Sequence, residues 1–145
     1  VAADLMEYDI PTNFIIDESF YAKTYDENRI FGYTVMNSKT AYEGRVIYGS
    51  VTLTDLKRFN VSSRELEGIV SQLRLTRGVQ AAVFLHEIRK DEYKVSLRSG
   101  DEVDVNAIAS LFGGGGHARA AGCTLYGSLE ECTEMLLDAL KSAVK

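Results

Sequence analysis

Gly113-Gly114-Gly115-Gly116 followed at once by His117 is the stretch that most restricts what this chain can fold into. Four consecutive residues without a Cβ can take positive φ and let another group approach the main chain closely. Glycine also loses the most conformational freedom on ordering, so a run of four is costly as filler. Successive N–H groups in such a turn can cradle an anion, and His117 at its edge can donate to a phosphate oxygen or, when neutral, accept a proton. A flexible loop beside an exposed histidine is the bland alternative, and a bare glycine run leaves both open. The small residues that follow, Ala120-Ala121-Gly122, point to something bulky packed directly over the backbone.

On either side of this run the pattern is that of an α/β domain. Val79 to Ile88 is almost continuously apolar and predicts a strand covered on both faces. Tyr93, Val95 and Leu97 alternate with Lys94, Ser96 and Arg98, so the next strand has one apolar and one polar face. Asp104 is placed to cap a helix carrying Val105, Ile108, Leu111 and Phe112 into the glycine turn, and a last strand is expected over 122–126. Ser128 and Glu131 stand at capping-box spacing before a terminal helix with Leu129, Cys132, Met135, Leu136, Ala139, Leu140 and Ala143 inward. Ser62 and Glu65 repeat that spacing before the stripe Leu66, Ile69, Val70, Leu73, which predicts one helix ended by Gly78. Thr54 is expected to cap a short helix through Phe59, and Glu43-Gly44-Arg45 to turn a hairpin between two strands.

Upstream, residues 1–8 read as the end of a helix, 12–22 as a second helix and 26–37 as a third. These are expected to be the closing helices and connector of an upstream domain, which divides the chain into 1–38 and 39–145. Their apolar faces need a partner, and a bare face of that kind favours self-association, a homodimer included. The fold class expected overall is α/β: a mixed sheet of about five strands flanked by helices, preceded by a helical connector.

Composition narrows the partners. A net charge of −5 argues against a broad electrostatic grip on long nucleic acid and leaves room for a small anion held by a few local groups. Cys123 and Cys132 have neither zinc-site nor disulfide-framework spacing and read as reduced core thiols of a cytoplasmic protein. No apolar run approaches the roughly 20 residues of a membrane span.

Gly114-Gly115-Gly116-His117 with Ala120-Ala121-Gly122 resembles the signature of the DHH-associated domain, the C-terminal partner of the DHH domain in a family of manganese-dependent phosphoesterases. Lys94 to Ser99 and Asp104 to Ala109 resemble that family in the same order, and the resemblance runs from about Val61 onward. It is strongest to the bacterial branch acting on very short RNA and on adenosine 3',5'-bisphosphate. The resemblance implies that Arg98, Gly114, Gly115, Gly116 and His117 bind substrate, with Ser99 and Ser96 as weaker candidates beside them. It also implies that manganese sits in a catalytic DHH domain outside this chain, because neither histidine has a histidine neighbour and no DHH triplet is present. Short RNA or a nucleotide phosphate is then the expected partner.

Taken alone, Arg98 is a surface strand residue in a weak ion pair. His86 reads as a hydrogen-bonded structural histidine, and Tyr42, Tyr48 and Tyr93 cannot be ranked as stacking platforms. Two neighbouring activities stay in view, hydrolysis of a cyclic dinucleotide and of polyphosphate. So does a non-catalytic tRNA-binding module resembling the C-terminal domain of alanyl-tRNA synthetases.

Overall fold

The computed structural model describes residues 14–15 and 22–144. The expected helix over 1–8 and most of that over 12–22 lie outside the described residues. Helix α1 (Tyr25–Met36) starts at a capping box of Thr24 and Glu27. Strands β1 (Lys39–Ala41) and β2 (Val46–Val51) form the expected hairpin around residues 42–45. Helix α2 (Leu53–Phe59), a 3-10 turn (Ser63–Leu66) and helix α3 (Ile69–Arg74) lead to β3 (Ala81–Arg89) and β4 (Glu92–Ser99). Helix α4 (Val105–Ser110), β5 (Gly115–His117), β6 (Ala120–Tyr126) and helix α5 (Leu129–Lys141) follow.

Six strands make one mixed sheet in the order β1-β2-β3-β4-β6-β5, with β2 and β3 parallel and every other pair antiparallel. The strand beyond the five expected is β5, which begins within the glycine run and ends at His117. On one face, Val83, Leu85, Val95 and Leu97 pack against Ile108 of α4 and Leu136 and Leu140 of α5. On the other, Ala82 and Phe84 pack against Ile30 of α1, Phe59 of α2 and Leu73 of α3. Helix α1, expected as part of a connector, is thus built into the second core through Ile30 and the buried Thr34.

Three local expectations change. Thr52, not Thr54, caps α2, because its hydroxyl accepts from Asp55 N–H while the Asp55 carboxylate accepts from Thr52 N–H. The single helix expected after Ser62 is broken, because Gly68 takes φ +87 and separates the 3-10 turn from α3. Leu111 lies beyond the end of α4 and is 70% exposed. The second core closes over β2 and β3 only, since β4 and β6 offer it small or polar side chains. Among the described residues, no helix is long and apolar enough to cross a membrane.

Candidate functional site

Residues directly opposite one another in a sheet share a face. Arg98 pairs with Ala120, and Ala120 pairs with His117, so the three stand in one row across β4, β6 and β5. The next row is Ser96, Gly122 and Gly115. Between the cation of Arg98 and the imidazole of His117 the sheet therefore carries almost no side chain. Arg98 is half-buried, and its Nη1 donates to Leu97 O at 2.9 Å, which fixes the guanidinium near the strand. Among the described residues no carboxylate lies within ion-pairing distance of it. The weak surface ion pair that Arg98 alone suggests is not formed there. His117 is exposed at the sheet edge.

The run crosses from the turn after α4 into β5, and the amides of Gly113, Gly114 and Gly116 are spent inside the protein. Gly113 N–H donates to Ser110 O, Gly114 N–H to Ala109 O, and Gly116 N–H to Oδ1 of Asn106 at 2.9 Å. An anion cradle of successive N–H groups is not available in this arrangement. Glycine is needed for close packing instead. A Cβ on Gly114 would stand 2.5 Å from Cys123 Cβ, and one on Gly116, at φ +154, would stand 2.5 Å from Ala120 O. Gly115 is different: a Cβ there would meet nothing nearer than Asn106 Oδ1 at 3.7 Å.

Ser99 does not join the row. Strand alternation turns it to the opposite face, where it is buried and its hydroxyl donates to Val103 O at 2.6 Å. Its N–H donates to Arg119 O, which seats the tip of the β5–β6 hairpin on the end of β4. Arg119 pairs with Asp101. Tyr93 is buried in the α4–α5 core, its hydroxyl pushed up to about 12 chiefly by burial. Tyr42 donates to Leu137 O, and Tyr48 packs against the same core. None of these three tyrosines lies on the face that carries Arg98.

Three residues near the row are not evident from the sequence. Asn106 holds β5 to α4, although only the family-like segment around it draws attention to the position. Lys94, from the polar side of β4, stands exposed on the same face as Arg98. His86 faces it across the β3–β4 pair, 7% exposed, with its Nδ1 lacking any hydrogen-bond partner. The hydrogen-bonded structural histidine expected here is therefore not what is found.

Among the described residues no group of three or more His, Cys, Asp or Glu side chains is placed to hold a metal ion.

The DHHA1 domain family model matches residues 43–145. The chain is 37% identical over 81 residues to the bifunctional oligoribonuclease and PAP phosphatase NrnA of Thermus thermophilus, a stretch covering 55% of this chain and 25% of that protein. To the protein of the same name from Bacillus subtilis it is 26% identical over 137 residues, covering 94% of this chain and 42% of the other. An exopolyphosphatase-related protein of Bacteroides fragilis superposes with a TM-score of 0.90 at 27% identity, over 97% of this chain and 42% of that structure. The chain thus spans less than half the length of these relatives.

Proposed function

Because this chain belongs to the DHHA1 domain family, we propose that it holds the substrate of a phosphoesterase that hydrolyses short oligoribonucleotides or adenosine 3',5'-bisphosphate. In this reading residues 39–145 are the substrate-binding domain, and the hydrolytic centre with its manganese lies in a DHH domain outside them. Two relatives bearing the oligoribonuclease and PAP phosphatase name support the substrate class, and their greater length leaves room for such a domain.

The observation that carries the reading is the row Arg98–Ala120–His117 over the bare floor of Gly122 and Gly115. A permanently charged guanidinium grips a phosphate in two places, and an imidazole on the far side can donate to a second oxygen. Ala120, Gly122 and Gly115 leave the space over which a sugar-phosphate lies. Binding energy gathered here, away from the reacting phosphorus, would position the scissile bond for the catalytic domain. A net charge of −5 with cations gathered on one face suits a short anion better than a tRNA. Ala120-Ala121-Gly122 keeps the reading with the short-RNA branch ahead of the cyclic-dinucleotide one.

Calorimetric titration of the chain with adenosine 3',5'-bisphosphate tests it. Arg98→Ala should weaken binding by about tenfold, the loss of one charge-assisted contact. Equal affinity in wild type and variant would remove Arg98 from the site.

A further inference from the structure

Beside the row, a cleft of about 680 Å³ opens between the 3-10 turn and α3 on one side and β3–β4 on the other. Its size falls within the range of small-molecule sites, about 300–1,000 Å³. Arg98 stands at its edge, so the cleft is continuous with the row. Phe84 and Val70 give it apolar surface, Arg64 and Lys94 bring cations, and Glu67 is a carboxylate among the described residues lining it. This combination of apolar wall and cationic rim suits a flat heterocycle bearing a phosphate.

His86 supplies the second, independent feature. Its ring stacks on Phe84, with centroids 6.0 Å apart and planes 28° from parallel, and both rings line the cleft. Nδ1 is buried with no partner, although buried polar groups are ordinarily paired.

We propose that this cleft is a second nucleotide subsite, taking the base and phosphate of the unit adjoining the one held on the Arg98–Ala120–His117 row. His86 hydrogen-bonds the edge of the base, and Lys94 and Arg64 meet the phosphate. The assignment rests on the reading that the row holds a nucleotide. It makes His86 and Lys94 the residues that distinguish a dinucleotide from a mononucleotide.

The chain contains two histidines, so their imidazole NMR signals report the two subsites separately. Titration with AMP should move the His117 signal, and titration with a 5'-phosphorylated adenylate dinucleotide should move both. If the dinucleotide saturates the shift of His117 and leaves His86 unmoved, the second subsite is overturned and the row survives. If only His86 moves, the row falls and the assignment of the cleft as a second subsite falls with it; if neither moves, both readings fail. Tripolyphosphate provides the remaining arm, and a shift of His86 as large as the dinucleotide's would overturn recognition of a base. Lys94 is exposed, so Lys94→Gln should fold normally and bind the dinucleotide about tenfold more weakly, with AMP binding unchanged. Equal dinucleotide affinity would remove Lys94 from the subsite.

Discussion

Oδ1 of Asn106 accepts a hydrogen bond from the backbone N–H of Gly116, and this contact ties the short edge strand β5 to helix α4. β5 is only three residues long and carries a single side chain beyond hydrogen, that of His117, so little else can fix it. Asn106→Ala should cost about 1 kcal/mol of stability, the net worth of one hydrogen bond. The larger effect should be local, with amide exchange at residues 115–117 accelerating far more than in β3. Uniform protection across both strands would mean that the ladder with β6 alone holds β5 in place.

The glycines of this strand should separate into two kinds. At Gly114 a Cβ collides with backbone and side chain of Cys123, so Gly114→Ala must displace β5 or strain the core, at a cost of about 1–3 kcal/mol. Gly115 has open space above it, so Gly115→Ala should leave the thermal midpoint within about 2 °C of wild type, as a surface change of under 0.5 kcal/mol would. Its methyl group would nonetheless stand in the adjoining row, beside His117 and opposite Gly122, and weaken binding of adenosine 3',5'-bisphosphate. A Gly115→Ala variant that binds as wild type would show that no ligand lies over the floor of Gly122 and Gly115.

The sequence pattern foretold these elements unevenly, and the reasons are physical. Ser128 with Glu131 and the alternation of Tyr93, Val95 and Leu97 are local signals, and the structure has both the capping box and the two-faced strand. The same alternation puts Ser99 on the apolar side, so parity alone could have set it apart from Arg98. Gly68 was hidden because an apolar stripe at helical spacing runs through it, while its φ of +87 depends on how α3 meets the sheet. The cleft was hidden for a stronger reason. His86 and Lys94 become neighbours only through the pairing of β3 with β4, and the row depends on Ala120 lying between two strands. Register of that kind is decided by tertiary packing as much as by local pattern.

His86 should also mark the chain's response to acid. Burial, and then the nearby charge of Lys94, hold its imidazole below the ordinary 6.5. Arg64 and Arg98 line the same cleft, with Glu67 as a carboxylate among them. Between the folded value and 6.5 the unfolded chain binds more protons than the folded one, so stability rises with pH across that window and is lost as pH falls through it. Glu27 and Glu131 are shifted down by hydrogen bonds to their capping partners Thr24 and Ser128, and their contribution is lost only below about 4.5, a separate and more acidic window. Urea midpoints measured at pH 7.5 and 5.5 should therefore fall for the wild type and stay nearly level for His86→Phe, which keeps an apolar ring against Phe84 and has no proton to gain. An equal fall in both would assign the sensitivity to other groups. A bound dinucleotide that satisfies the imidazole should move the midpoint upward at pH 7.5, and Lys94→Gln should diminish that rise, which links the acid response to the occupancy of the cleft.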